Sequence, residues 1–365
     1  MKNTYLENWP ETQKRFLKWW ARKPMGIPLM RIYARGKNPE NLTADEKFSD
    51  AKDMYLNVDK KIANYRNFCE THYFMADAYP SFSADIGPGS FAVYVGSEPV
   101  FTWDTVWFSE IMNDIRDQGC LKYDPDNKWW ALHREMFKRA KELSNDEFLI
   151  NIPDIVENID ILAALRGPQN LCYDLMDHPE TVKEALDKLD SLYFTFYDGL
   201  HEITKEADGS SSYTAFAIWG PGRTAKVQCD FNVMMSPQMF IDLVVPGINN
   251  ICDGLDNSIF HLDGPDAMKH ARGVAKIKKL NALQWTPGAG QPDGGCEKWF
   301  NMYDILVDAG KNLWLAITDG GPDELAESAV RLVKRYGPDR LYLHFPIFES
   351  KEKAEALIKK VADSL

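Results

Sequence analysis

The chain predicts an α/β fold, a single (β/α)8 barrel with a hairpin inserted after its second strand. Three observations carry that expectation. About eight strand-like segments alternate with helical patterns over 365 residues, a length that α/β barrels reach as one domain. No Gly- or Ser-rich linker, internal repeat or low-complexity stretch divides them. No Gly-x-Gly-x-x-Gly follows the first strand, which argues against a dinucleotide-binding open sheet.

Taken in order, residues 9–24 set Trp9, Phe16, Leu17, Trp19 and Trp20 among Lys and Arg, the pattern of an amphipathic helix leading into the fold. Residues 26–33 read as the first strand, whose end carries Arg31 and, just beyond, Arg35. Residues 43–70 are polar and helix-prone, with Asp45 or Ser49 as caps. Residues 74–83 read as the second strand, ending at Asp85 and Gly87-Pro88-Gly89. Residues 91–108 are aromatic-rich and alternate roughly, so a hairpin turning at Gly96-Ser97 is expected there. Its Phe101, Trp103 and Trp107 either wall a pocket or lie in the core, the commoner place for large aromatics.

Residues 129–143 form a helix, and residues 148–155 a third strand that delivers Asp154 and Glu157. Asp160 begins an apolar helical segment. His178-Pro179-Glu180 opens a long helix, with proline in its first turn and Val182, Ala185, Leu189, Leu192 and Phe196 on one face. Residues 213–219 are strand-like, and residues 227–231 form a short segment carrying Cys229 and Asp230. Ser236-Pro237 starts another helix.

The last four strands bear most of the chemistry. Residues 257–264 turn from apolar Ile259 and Phe260 to His261 and Asp263, which share a strand face because they lie two apart. Residues 280–288 carry Trp285, residues 313–320 end at Asp319, and residues 341–346 place His344. In α/β barrels the carboxyl ends of strands hold the chemistry.

Hydrophobic residues make up 45% of the chain and charged residues 26%, a globular profile. The net charge of −12 and the lack of a basic run argue against nucleic-acid binding. The first ten residues lack the apolar core of a signal peptide, and no apolar run reaches the ~18–20 residues of a membrane span. Six scattered cysteines form no Cys-x-x-Cys pair, which fits reduced thiols in a cytoplasm.

His261, Asp263, His344 and, more speculatively, Cys229 are side chains of the kinds that bind zinc. Asp230, Asp154, Glu157 and Asp85 are carboxylates at strand ends suited to acid–base work. Arg31 and Arg35 could clamp a substrate carboxylate, and Trp285, Trp103 and Trp107 would supply apolar walls. Cys296, in a glycine-rich loop, is a further soft ligand or thiol.

Together these stretches resemble the uroporphyrinogen decarboxylase superfamily over nearly the whole chain, from Lys23 onward. Met30-Arg31 with Arg35 is similar to the first-strand motif of the decarboxylases, although Ile32, Tyr33 and Ala34 replace the residues usual between the arginines. Asp77-Ala78 with Phe82, Ser83, Ala84, Asp85 and Ile86 resembles the second-strand segment ending in the catalytic aspartate. Leu165-Arg166-Gly167, Tyr173, Asp174 and Pro179-Glu180 resemble the helices after the third strand. Asp230, Ser236-Pro237 and Phe240 match the next unit, and His344 falls at the family's last-strand histidine.

The resemblance implies a (β/α)8 barrel with its site at the carboxyl ends of the strands. It also implies one of two activities. Methyltransferases of the superfamily carry His-x-Cys where this chain has His261 and Asp263, bind zinc, and exchange methyl groups with a corrinoid held by a partner protein. Decarboxylases use arginines, an aspartate and no metal on a tetrapyrrole. The expectation is a cytoplasmic methyltransferase acting on a small methylated compound or a thiol or folate acceptor. The alternatives are a tetrapyrrole decarboxylase using Arg31, Arg35, Asp85 and His344, and a non-catalytic tetrapyrrole- or corrinoid-binding protein. The inserted hairpin would close the cleft or join two copies in a homodimer.

Overall fold

The computed structural model describes Lys2 and residues 4–364. Its strands are β1 Leu29–Arg35, β2 His72–Ala76, β3 Ser81–Phe82, β4 Pro99–Phe101, β5 Val106–Phe108, β6 Leu149–Ile152 and β7 Ser211–Tyr213. They continue as β8 Ile218–Gly220, β9 Thr224–Gln228, β10 Asn257–Asp263, β11 Ala282–Thr286, β12 Asn312–Ala316 and β13 Leu341–His344. One sheet has the order β2-β1-β13-β12-β11-β10-β9, a second β3-β6-β7-β8, and β4-β5 stand apart as a hairpin. From β9 through β13 to β1 every neighbouring pair is parallel. Helices fill the connections, among them Val245–Gly254, Phe300–Asp308 and Pro322–Tyr336. This is an α/β fold.

Alternation sorts each parallel strand into two faces. Phe260, Leu262, Leu283, Trp285, Leu313, Leu315, Leu341 and Leu343 are buried, which is why these strands read as near-continuous apolar runs. The amino ends of the strands are covered by the helix Trp9–Trp20. Phe16 packs on Tyr342 at 5.3 Å, Trp9 on Trp219 at 5.5 Å, and Asn312 Nδ2 donates to the Trp19 carbonyl at 2.7 Å. The carboxyl ends are left for chemistry.

Four local expectations are corrected. The 43–70 segment is two helices, Ala51–Leu56 and Val58–Thr71, capped by Asp50 and Asn57, whose side chains each accept an amide hydrogen of the first turn. The 74–83 strand is split: β2 returns antiparallel to β1, and only β3 joins β6 in parallel. Ala76 takes a φ of 53°, and Asp77 anchors the break by accepting from Met30 N at 2.9 Å and Arg15 Nη2 at 3.0 Å.

In the 91–108 segment, Phe91–Tyr94 is helical. Gly96, with φ 111°, carries the chain out of that helix, a conformation open mainly to glycine. The hairpin itself turns at 102–105, where Thr102 N donates to Thr105 O at 2.9 Å. Residues 213–219 are likewise two antiparallel strands, β7 and β8, because Ala215 (φ 59°) and Ala217 (φ 47°) reverse the chain. The loop between them reaches across to the long sheet: Trp314 Nε1 donates to the Phe216 carbonyl and Tyr342 Oη to that of Ala217, each at 2.9 Å. Among the described residues no helix is long and apolar enough to cross a membrane, and the six cysteines are free thiols.

Candidate functional site

The face opposite the helices is polar at its carboxyl end. Lys226 and Gln228 of β9 project there, with His261 and Asp263 of β10 and Gln284 and Thr286 of β11. Register pairs Gln228 with His261, His261 with Gln284, and Asp263 with Thr286, so these side chains lie in adjacent rows.

Lys226 is 1% exposed. Its ammonium meets Asp154 Oδ1 at 2.6 Å and also Gln228 Oε1. Asp154 accepts a second bond from Tyr213 Oη at 3.0 Å. Gln228 Nε2 donates to Asp160 Oδ2 at 2.7 Å and Asp230 Oδ2 at 3.0 Å, and its amide donates to Glu157 Oε1 at 2.6 Å. Asp160 also accepts the amides of Asp230 (2.8 Å) and Phe231 (2.9 Å). Gln284 orients His261: its Nε2 donates to Thr286 Oγ1 at 3.0 Å, which turns its Oε1 toward His261 Nδ1. The imidazole proton therefore sits on Nδ1, and Nε2 is the free lone pair.

Charge in this layer is tuned by burial and by neighbouring like charges. Burial and the adjacent Asp230 raise Asp160 to about 6. Burial and then Asp154 raise Asp85 to about 6. Glu157 is held well above the usual carboxylate range by burial, and its Oε2 has no partner. Asp230 is raised, first by burial. Burial and the Lys226 charge lower His261, so it is neutral at physiological pH. These carboxyls therefore stay protonated to higher pH than ordinary ones, beside a neutral imidazole.

A cavity of about 580 Å³ opens beside this layer. Glu110, Asp160, Gln228 and Asp230 are its charged and amide-bearing walls, and Trp107, Phe108, Phe231 and Met234 are among its apolar ones. Convergent polar groups in an apolar cavity are the usual form of a small-molecule site.

The residues expected from sequence distribute unevenly. Asp154, Glu157, Asp230 and His261 come together, with Asp263 on the same strand face at an exposed end. Asp85 is linked to Asp154 by the repulsion of the two carboxyls and by a hydrogen bond from the Asp154 backbone amide. Trp107 lines the cavity, while Trp103 is exposed in the hairpin turn. Trp285 is corrected: it is fully buried on the helix side of β11, 5.1 Å from Trp299, because alternation gives the cleft-facing place to Gln284.

Arg31 lines a different cavity, and Arg35 is exposed at the end of β1, so the two make no common clamp. His344 is buried against Trp314 at 3.9 Å and meets Arg31 Nη1 through Nδ1 at 3.3 Å. Cys229 is buried, and burial with Asp160 and Asp230 raises its thiol well above the usual range, the opposite of a ready metal ligand.

His261 and His344 have β11 and β12 between their strands. Among the described residues no three His, Cys, Asp or Glu side chains gather to hold a metal ion, so the expected donors do not fit a zinc site. Lys226, Gln228, Gln284, Asp160 and Tyr213 are site residues that motif reading did not select. Their signal was available: a Lys and two Gln on the buried face of apolar strands need partners.

No protein-family model and no curated sequence matches the chain. Among solved structures it is similar to a methyltransferase from Methanosarcina mazei, with a TM-score of 0.59, 11% identity, and coverage of 96% of this chain and 98% of that one. At that identity the likeness establishes a shared α/β fold over nearly the full length of both chains.

Proposed function

We propose that this protein is a methyltransferase that takes a small methylated compound into the Asp160–Asp230 cavity and passes its methyl group to an acceptor. The observation that carries the reading is the Asp160–Gln228–Asp230 group. It places two carboxyls with raised proton affinity on the wall of a largely apolar cavity, which Glu110 also lines. When a methyl–oxygen or methyl–nitrogen bond breaks, the leaving atom gains electron density and needs a proton. A carboxyl that keeps its proton to about pH 6 is suited to supply it. Neutral His261, its Nε2 free, orients the substrate by accepting a hydrogen bond.

A corrinoid carried by a partner protein is the acceptor we propose; bound, it would supply the nucleophile that receives the methyl group. The same reading makes β1, β3, β6 and β9–β13 the eight strands of a (β/α)8 barrel. The Lys226–Asp154 and Gln228–Glu157 bonds, which join β9 to the end of β6, support that closure. A cytoplasmic setting belongs with it.

The test is single-turnover methyl transfer from methylated phenols and amines to a corrinoid protein. Asp230→Asn and Asp160→Asn are expected to slow it by about 10²-fold. In the native protein the rate is expected to fall as pH rises through about 6, the range in which the acid loses its proton. Unchanged rates and pH profiles in both variants would sink the proposal.

A further inference from the structure

We infer a second binding compartment, for an anionic ligand with a flat aromatic body, between the end of β1 and the helix Val58–Thr71. It is a cleft of about 620 Å³, distinct from the Asp160–Asp230 cavity, with Arg31, Lys61 and Asn151 among its polar walls and Tyr33, Tyr65 and Phe68 among its apolar ones. Among the described residues neither cation has an ion-pair partner within 4 Å. Arg31 is instead positioned by neutral groups: Nε donates to Tyr33 Oη at 3.0 Å and Nη1 meets His344 Nδ1 at 3.3 Å. Among the described residues its Nη2 edge carries no hydrogen bond.

Lys61 donates to the backbone carbonyls of Tyr55 at 3.4 Å and Asp85 at 3.3 Å and lies over the Phe82 ring at 5.8 Å. Asn151, 6% exposed, donates to Ser81 Oγ at 3.2 Å and leaves Oδ1 unpartnered. Lys61 feels the Asp85 carboxyl only at longer range, and Arg31 faces no carboxylate; cations largely withdrawn from water with so little counter-charge are costly unless a ligand supplies it. An oriented guanidinium edge suits a carboxylate. The aromatic walls, with Phe68 in edge contact with Tyr33 at 5.4 Å, suit a flat apolar body.

This inference does not depend on methyl transfer. It is tested by calorimetric titration of the full chain with benzoate, with benzamide as its neutral counterpart, and with inorganic phosphate. Benzoate is expected to bind at least ~10-fold more tightly than benzamide and than phosphate. Arg31→Gln and Lys61→Met are each expected to weaken benzoate by ~10-fold or more, while Asp230→Asn leaves it unchanged. Thermal melts certify that the variants fold, and Arg31→Lys, which keeps the charge, should recover part of the loss.

Equal affinity for benzoate and benzamide, absence of benzoate binding, or indifference to both substitutions would overturn the compartment. Phosphate binding more tightly than benzoate would overturn the aromatic carboxylate as its ligand. Loss of benzoate binding in Asp230→Asn would place the ligand in the other cavity and refute a separate compartment.

Discussion

Lys226 offers the sharpest perturbation of the polar layer. It is a lysine on the buried face of a parallel strand, 1% exposed, paired at 2.6 Å with an Asp154 side chain that is itself 13% exposed. Replacing it with methionine keeps the length and apolar stem but removes the charge. Asp154 then retains Tyr213 as its one hydrogen-bond donor. Stripping one partner from a buried pair costs about 3–5 kcal/mol, because the remaining charge is left uncompensated. Lys226→Met should therefore destabilise the fold by about 3 kcal/mol or more.

Asp154→Asn alone leaves the ammonium near Gln228 and should cost less. In the double variant neither charge is stranded, so its loss should fall short of the sum of the single losses by about 2 kcal/mol. Urea unfolding followed by tryptophan fluorescence on the four proteins measures this cycle. A Lys226→Met variant within about 1 kcal/mol of native, or strictly additive losses, would refute a structural pair and show that Lys226 is held there without reliance on Asp154.

Asp190, raised to about 7 by burial, binds the Asn158 amide through both oxygens at 2.8 Å. Its folded proton affinity exceeds the unfolded one, so its contribution is present below about pH 4 and is lost as pH rises toward 7. Asp190→Asn should remove up to ~1.4 kcal/mol per pH unit of that slope, measured as urea midpoints from pH 4 to 8; an unchanged slope would reject the assignment. Trp285→Ala should cost about 3–5 kcal/mol of stability while leaving the single-turnover methyl-transfer rate unchanged; loss of that rate in a folded variant would return Trp285 to the cleft. Chelator-washed protein, read by elemental mass spectrometry, is expected to carry well under one zinc per chain. A full equivalent that depends on His261 would show that the donors gather in solution.

Much of this molecule is legible along the chain. The apolar runs of β10 to β13 and the long helix opened by Pro179 follow from local preferences that neighbouring residues express by themselves. So does the shared face of His261 and Asp263, because strand period is a property of the backbone. What the chain does not disclose is which face turns toward the helices and how far apart strand ends finally lie. Gln284 takes the place expected of Trp285 on that account: one residue of phase sends the indole to Trp299 and the amide to His261.

The scattered metal donors have the same cause. His261 and His344 look alike as strand-end histidines, yet two intervening strands separate theirs. The split at Ala76 and the reversals at Ala215 and Ala217 rest on left-handed backbone at alanine, which nothing in alanine itself announces. Local sequence determined the strands, helices and strand-end chemistry. Tertiary packing decided which carboxyls share a cavity and which cations are left without partners, because those are distances between segments brought together only by burial of the core.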